Sequence, residues 1–228
     1  MEHSKKQLQS DLLNMGIKPG DMLLMHSSFK SLGGIENGAA GFYEVLLNIL
    51  GGSGSMIVPS LSYKDVTCEK PFFDVRTTPS CVGYLTEFFR TQIPNVRRSL
   101  HATHSCCVWG YYRDELVAEH ERDATPVGVH SPFRKLPEAG GKILILGSHP
   151  DSNTSMHGVE ETVLPMRFID FDNEVIYHIT DVEGHSFIRP SWKRWPQVNY
   201  YYLSIPSGEL VRYVLERDLC GSLSLQNH

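Results

Sequence analysis

The sequence lacks the features that mark secreted and membrane proteins. Its longest apolar runs, such as residues 143–146, are far shorter than the roughly 20 apolar residues that span a bilayer. Its first residues contain no apolar core of a signal peptide. We therefore expect a cytoplasmic protein without a membrane partner.

The sequence also lacks a disulfide or zinc pattern in its five cysteines, none of which forms a Cys-x-x-Cys pair. The odd count, and the adjacency of Cys106 and Cys107, favour free thiols in a reducing compartment. Both residues fall in an apolar strand pattern, where burial disfavours a thiolate. The pattern therefore argues against a cysteine nucleophile.

An excess of basic residues is absent as well. The chain has 26 acidic residues against 21 lysines and arginines, for a net charge of -5, whereas nucleic-acid binders are usually basic. We therefore expect no nucleic-acid partner. The acidic balance suits a cationic small substrate, although it also serves solubility. The 228 residues, 41% of them hydrophobic, can bury a core that needs no disulfides.

Hydrophobic patterning predicts alternating helices and strands in the first sixty residues. Residues 4–16 and 39–50 have the pattern of amphipathic helices, and residues 22–25 and 55–59 that of buried strands. The strand–helix–strand order implies parallel strands with a right-handed crossover. The further predicted elements are helices at 82–91 and 113–122 and strands at 106–110 and 143–147.

The pattern changes after residue 165, where aromatic and β-branched residues alternate with polar ones. Turn residues at Asp172-Asn173 and Glu183-Gly184 predict antiparallel strands there, and residues 210–219 read as a final helix. We expect one domain over residues 1–228, divided into a core (1–160) and a β-rich region (161–228). The predicted fold is an α/β layered sandwich, with a mostly parallel central sheet flanked by helices and an antiparallel C-terminal portion.

A polar segment directly follows the first buried strand, where open α/β sheets bind ligands. Small hydroxyl residues there would let backbone N–H groups approach an anion closely. A plain connecting turn is the alternative. The segment consists of His26, Ser27, Ser28, Phe29, Lys30 and Ser31.

A second polar segment, residues 97–105, precedes the strand at 106–110 and holds two arginines and two histidines. Arginine suits phosphate recognition because its planar fork donates parallel hydrogen bonds. The His-x-x-His spacing leaves a metal-dependent hydrolase open, built on His101, His104 and His157. We expect no metal, because zinc would take further ligands, and Cys106 and Cys107 would point to opposite faces of the sheet.

A third polar segment follows the strand at 143–147. In it, Asp151, Thr154 and His157 are spaced at i, i+3 and i+6, so in a helix they would lie within an arc of about 120°. An imidazole with a pKa near neutrality is the usual proton acceptor for an attacking amine. The alternative is a capped helix start with an incidental surface histidine.

Six short motifs occur in a fixed order along the first 160 residues. They are Met15-Gly16-Ile17-Lys18-Pro19-Gly20-Asp21, His26-Ser27-Ser28, Ser31-Leu32-Gly33, residues 98–105, His130-Ser131-Pro132-Phe133 and Asn153-Thr154-Ser155-Met156-His157. In this order and spacing the chain resembles the aminoglycoside 3-N-acetyltransferase family, also called the antibiotic N-acetyltransferases. The resemblance is looser beyond residue 160.

The resemblance implies an α/β enzyme that transfers an acetyl group from acetyl-coenzyme A to the 3-amine of a deoxystreptamine antibiotic, without a metal. It implies that residues 1–160 bind the coenzyme and 161–228 form the acceptor side. His157 matches the histidine that activates the amine. The coenzyme contacts it implies are His26, Ser27, Ser28, Phe29, Lys30, Ser31, Thr103, His104, Ser105, Ser131 and Phe133.

A histidine base needs an acid on its other nitrogen. The resemblance places that glutamate within residues 184–190, which contain no carboxylate. We expect Glu160 or Asp151 to take its place, with Glu183 as a further candidate, and Asp151, Thr154 and Glu160 to contact the acceptor. A coenzyme-A-binding protein without turnover and an acyltransferase for another amine remain alternatives. We expect a small-molecule amine as partner and a monomer or homodimer.

Overall fold

The computed structural model describes residues 2–194 and, for the backbone alone, residues 200–204, 210–214, 216–217 and 223–224. Its α-helices are α1 (Lys5–Asn14), α2 (Gly38–Leu50), α3 (Tyr84–Gln92), α4 (Arg113–Val117), α5 (Pro132–Glu138), α6 (Ser155–Val163) and α7 (Pro165–Phe168). Short 3-10 segments occupy Phe29–Leu32, His120–Arg122 and Pro150–Ser152. None of the described helices has both the length and the apolarity that a bilayer crossing requires.

The strands are distributed along the whole chain. They are β1 (Glu2–His3), β2 (Met22–Ser27), β3 (Gly34–Ile35), β4 (Ser55–Pro59), β5 (Phe72–Asp74), β6 (Arg97–Arg98), β7 (Cys106–Gly110), β8 (Lys142–Leu146), β9 (Ile169–Thr180), β10 (Ser186–Arg194), β11 (Tyr200–Ser204), β12 (Leu210–Val214), β13 (Glu216–Arg217) and β14 (Leu223–Ser224).

The central sheet has five strands in the order β6-β7-β4-β2-β8. Strand β2 pairs in parallel with β4 and β8, and β7 pairs antiparallel with both β4 and β6. Because β4 and β6 are each antiparallel to β7, all strands except β7 point the same way. The predicted mostly parallel sheet is therefore confirmed, with the strand at 106–110 as its reversed member.

Helices cover both faces of this sheet, as a layered sandwich requires. Alternate residues of β2 divide between two cores: Leu23 packs with α1, α2 and α3, whereas Leu24 packs with α4 and α5. Cys107 lies in the first core and Cys106 in the second, so the two cysteines do face opposite ways. Burial raises the pKa of both thiols, which opposes a thiolate nucleophile.

The antiparallel C-terminal portion is present as a hairpin of β9 and β10, with β5 added in parallel beside β9. The turn predicted at Glu183-Gly184 is confirmed, and Gly184 has a φ of 91° there. The turn predicted at Asp172-Asn173 is wrong, because both residues lie inside β9. They fall where the register shifts opposite Trp192 and Lys193, so the polar pair marks a β-bulge.

Two predicted helices differ from the structure. The helix predicted at 210–219 is wrong for the described residues of this stretch, which form β12 and β13, and β12 pairs antiparallel with β11. Its β-branched and aromatic residues suit a strand that finds a partner. The helix predicted at 113–122 ends at Val117, and Glu119 adopts a φ of 64° before the 3-10 turn.

Arg98 links β6 to the segments around it through all three of its guanidinium nitrogens. Nε donates to Ser105 Oγ at 2.9 Å, Nη2 donates to the Ser60 carbonyl at 2.8 Å, and Nη1 donates to the Thr78 carbonyl. The guanidinium also stacks over the Phe73 ring. Burial lowers its pKa to about 10, which still leaves the group charged at neutral pH.

The loop after Arg122 is held on α6 by Glu161. The backbone N–H of Val127 donates to Glu161 Oε1 at 3.1 Å. Burial raises the pKa of this carboxyl to about 7, and the hydrogen bonds from Thr125 and Val127 only partly oppose that rise. The protonation state of Glu161 therefore bears on how firmly this loop is attached.

We predict that Arg98→Met lowers the free energy of unfolding by about 2 kcal/mol or more, because it removes three hydrogen bonds donated by a charged group in a largely buried setting. Arg97→Met is the matched control, since the Arg97 side chain is 54% exposed and only forms a surface ion pair with Asp114. Denaturant unfolding measures both variants. Equal losses in the two would contradict the role assigned to Arg98.

We predict that Glu161→Gln changes how stability depends on pH. Between pH values of about 4.5 and 7 the folded wild type retains a proton on Glu161 that the unfolded chain has lost, so its stability falls as the pH rises. Glutamine removes this contribution and can still accept from Val127. Across that range, denaturant unfolding should show the variant gaining stability relative to the wild type; a constant difference would refute the assignment.

Candidate functional site

A cavity of about 600 Å³ lies at the edge of the central sheet where β2 and β4 end and β7 begins. His26 and Ser27 reach it from β2, Pro59 from β4, and Thr103 and His104 from the segment before β7. The carboxyl ends of parallel strands are where open α/β sheets bind ligands. The cavity therefore occupies the place that the polar segments predicted.

The opposite wall comes from the region of α6 and from β10. Asp151, Thr154 and His157 all line the cavity, as their spacing predicted. They do not belong to one continuous helix, since Asp151 lies in a 3-10 segment and Thr154 is the N-cap of α6. Strand β10 contributes Lys193 and Arg194, which directly follow the bulge.

His157 is held by a carboxylate one helical turn further along α6. Its Nδ1 lies 3.2 Å from Glu160 Oε2, and the same oxygen lies 2.5 Å from Arg194 Nη2. The His157 side chain is 21% exposed, whereas those of Glu160 and Arg194 are 8% and 12% exposed. His157 and Arg194 thus both line the cavity, whereas Glu160, which contacts both of them, does not.

Close packing against α5 sets the position of α6. Arg134 Nη1 donates to the Gly158 carbonyl at 2.7 Å. A Cβ built on Gly158 would lie 2.5 Å from Arg134 Cδ and 2.9 Å from Val127 Cγ1, so only glycine permits this approach. At the start of the helix, Asn153 Oδ1 accepts from the Ser155 N–H at 3.2 Å. These contacts fix the helix that carries His157 and Glu160.

His26 and Ser27 form the end of β2 inside the cavity. Burial lowers the pKa of His26 to about 4, with a hydrogen bond to Asn153 opposing and the nearby His157 adding to this effect, so His26 is neutral at physiological pH. Ser27 Oγ is buried and has no hydrogen-bond partner among the described residues. Its hydroxyl is therefore available to a ligand in the cavity.

Thr103, His104 and Ser105 were predicted together but divide in the structure. Thr103 Oγ1 lies 2.9 Å from His104 Nδ1, and both residues line the cavity. Ser105 is fully buried, donates to the Ser60 carbonyl at 2.7 Å and accepts from Arg98. Its hydroxyl holds the sheet together, and it does not line the cavity.

The histidines of the metal-hydrolase hypothesis are not arranged to coordinate one metal ion together, because His101 is already hydrogen-bonded through both ring nitrogens. His101 Nδ1 accepts from the backbone N–H of Thr103 at 3.3 Å and of His104 at 3.0 Å, and its Nε2 lies 3.1 Å from the Thr125 carbonyl. Both ring nitrogens are thus used by backbone groups. Among the described residues, a possible ligand group is Asp181, Glu183 and His185, on the β9–β10 turn and away from the cavity.

Several predicted coenzyme contacts lie outside the cavity. Ser28 precedes the 3-10 segment that contains Phe29, Lys30 and Ser31, and Ser28 Oγ lies 2.9 Å from Ser31 Oγ. Ser131 and Phe133 are buried, and Ser131 Oγ accepts from the Phe133 N–H at 3.3 Å to cap α5. Ser131 and Phe133 therefore have a structural role in α5, and their coenzyme contact stays a prediction.

The sequence did not indicate several other cavity residues. Lys193 and Arg194 reach the cavity because of a bulge, and β9 contributes Tyr177, whose hydroxyl has no described hydrogen-bond partner. Glu183 lies on the β9–β10 turn, so it does not orient His157. The aromatic side chains of Trp195 and Tyr200-Tyr201-Tyr202 lie outside the part of the chain whose side chains the structure describes.

Known proteins share both the sequence pattern and the fold. The family model for aminoglycoside 3-N-acetyltransferases matches residues 24–217. Aminoglycoside N(3)-acetyltransferase IV of Salmonella sp is 35% identical over 164 residues, which cover 70% of this chain and 59% of that protein. The crystal structure of YokD from Bacillus subtilis has a TM-score of 0.72 at 26% identity, covering 85% of this chain and 82% of that one.

A further structure, AAC-IIIb as a binary complex with CoASH, matches in fold with a TM-score of 0.74 at 24% identity, over 86% of this chain and 77% of that one. This chain spans 59% of the length of the Salmonella relative. The family match nevertheless extends across the central sheet, α6 and the β9–β10 hairpin. On this evidence the chain belongs to the aminoglycoside 3-N-acetyltransferase family.

Proposed function

We propose that this protein is an acetyl-coenzyme-A-dependent N-acetyltransferase that acylates a primary amine, the 3-amino group of an aminoglycoside. The observation that carries the proposal is the cavity-facing imidazole of His157 with Nδ1 on Glu160. The names of the relatives support the acceptor class, and CoASH in AAC-IIIb is in keeping with the proposed donor.

The reaction needs a base because an ammonium ion has no lone pair for attack. The Glu160 carboxylate accepts a hydrogen bond from protonated Nδ1 of His157, which leaves Nε2 as the basic nitrogen. The guanidinium of Arg194 supplies the counter-charge that keeps this carboxylate in place. His157 then takes the proton as the amine attacks the thioester carbonyl directly, without a covalent enzyme intermediate.

The thioester oxygen gains charge during the attack and needs donors. Ser27 Oγ is buried in the cavity wall and has no described partner, so it can donate to that oxygen. The Ser105 hydroxyl is already used by the Ser60 carbonyl, and the Ser28 N–H donates to the Leu146 carbonyl. We therefore assign the Ser27 hydroxyl, and not Ser28 or Ser105, as a donor to the thioester oxygen.

The acceptor would enter past the exposed carboxylate of Asp151, which attracts an ammonium group. Thr154 and the Tyr177 hydroxyl lie on the same wall. Lys193 and Arg194 also line the cavity, so its described wall is less acidic than a polycationic acceptor would favour. This balance supports a second candidate, acyl transfer to an amine of lower positive charge.

The assay that tests the proposal measures release of the coenzyme A thiol from acetyl-coenzyme A with a panel of aminoglycosides and simpler primary amines. Turnover with an aminoglycoside supports the first candidate. Turnover confined to a simpler amine supports the second candidate. Binding of coenzyme A that stabilises the protein without any turnover would favour a non-catalytic member of the family.

We predict that His157→Ala lowers kcat by roughly 10²- to 10⁴-fold, because general-base catalysis contributes about that much. His185→Ala is the matched control, since His185 is 79% exposed on the β9–β10 turn. Thiol release measures both rates. Unchanged turnover in His157→Ala would refute the assignment of the base.

We predict that Glu160→Gln lowers kcat by roughly 10- to 100-fold, a part of the general-base contribution, while KM for acetyl-coenzyme A changes little. The amide can still contact the ring but cannot balance the imidazolium that forms during the reaction. The pH–rate profile should shift as well, because the basicity of His157 changes. A rise in KM with kcat retained would show that Glu160 only maintains the structure.

A further inference from the structure

His104 forms the part of the cavity wall next to the proposed base. Its ring centroid lies 6.4 Å from that of His157, with the two planes at 71°. On another side the ring stacks with Tyr63 at 6.1 Å, and it contacts His101 edge-on at 5.9 Å. The ring is therefore fixed by its neighbours while it borders the same space as His157.

The contact with Thr103 determines which nitrogen of His104 carries the proton. Thr103 Oγ1 lies 2.9 Å from His104 Nδ1, and Thr103 is only 8% exposed. The donor in this contact depends on the tautomer of His104, and we assign the Thr103 hydroxyl as the donor and Nδ1 as the acceptor. Since the hydroxyl donates to Nδ1, the ring proton resides on Nε2.

The surroundings keep this ring neutral. Burial lowers the pKa of His104 well below its usual range, and His101, His157 and Arg194 oppose a positive charge there as well. A neutral imidazole of this tautomer is an N–H donor that neither repels an incoming ammonium nor competes with His157 as a base.

From these contacts we propose that the Nε2–H of His104 binds the carbonyl oxygen of the acetyl thioester and stabilises the charge that develops on it. This inference rests on the proposed function, since it names a partner for an atom of the proposed donor. It adds a second side-chain donor in the cavity to the Ser27 hydroxyl, which has no described hydrogen-bond partner.

His104 and His157 act in the same acetyl-transfer step. The amine nitrogen bonds to the thioester carbon, and the carbonyl electron pair moves to the oxygen bound by His104. That pair returns as the carbon–sulfur bond breaks and the thiolate of coenzyme A leaves. Of the two protons lost by the ammonium, one passes through His157 to the sulfur and the other goes to solvent.

The test is isotope-edited infrared spectroscopy of bound acetyl-coenzyme A labelled with carbon-13 at the acetyl carbonyl, without an acceptor. In the wild type the carbonyl band should lie at lower wavenumber than in free acetyl-coenzyme A, because the oxygen accepts a hydrogen bond. His104→Leu should return the band toward the free value. His104→Gln, which retains an N–H donor, should largely preserve the shift.

Two further variants make the readout specific. His157→Ala should keep the shifted band, because the base does not contact the carbonyl. Thr103→Val should weaken the shift, because without the hydroxyl the proton of His104 is free to move to Nδ1. Kinetically, His104→Leu should lower kcat by roughly 10²- to 10³-fold at nearly unchanged KM for acetyl-coenzyme A, with His104→Gln partly rescued.

The outcomes separate this inference from the proposed function. A wild-type band at the free value, or a shift that survives in His104→Leu, overturns the role of His104 even if the enzyme turns over. If the band shift depends on His104 but the protein acetylates no amine, the role of His104 is supported and the proposed acetyl transfer is refuted. Failure of acetyl-coenzyme A to bind at all overturns both.

Discussion

The contact of Glu160 with both His157 and Arg194 connects the two parts of the molecule on which the site depends. His157 and Glu160 lie one turn apart on α6, whereas Arg194 comes from the last described residue of β10. A carboxylate this buried needs a cation and a hydrogen-bond donor nearby. The hairpin and the helix must therefore dock correctly before the imidazole acquires its orientation.

Two neutral imidazoles, those of His26 and His104, line the cavity beside that contact, and a third, His101, lies next to His104. Burial depresses the pKa values of His26, His101 and His104, so these rings supply directional donors and acceptors at neutral pH without adding charge. His101 uses both nitrogens on backbone groups and so fixes the segment that carries Thr103 and His104. The backbone groups around His101 also fix its tautomer, because Nδ1 accepts from two N–H groups and Nε2 faces a carbonyl oxygen.

Backbone irregularities aim the functional side chains. The register shift opposite Trp192 and Lys193 precedes the two β10 residues that reach the cavity. Gly158 lets α6 approach Arg134 more closely than any side chain would allow. Bulges and close-packed glycines of this kind are found next to active sites because they redirect neighbouring residues. Here the bulge in the hairpin and the close packing at Gly158 bring residues of β10 and α6 to the cavity at the edge of the central sheet.

Local patterns in the chain were enough to predict most of the helices and strands, and the sheet edge at which the cavity lies. Apolar runs predicted β2 and β4, the spacing of Asp151, Thr154 and His157 predicted a shared side, and polar residues after buried strands predicted the sheet edge. These features depend on residues that are close together in the sequence, so the spacing of apolar and polar residues is enough to predict them. Contacts between distant parts of the chain select the acid that orients His157. The same kind of contact brings Arg194 and Tyr177 to the cavity and keeps Ser105 and Ser131 away from it. Those outcomes depend on contacts between residues far apart in sequence and on one bulge, which no local pattern encodes.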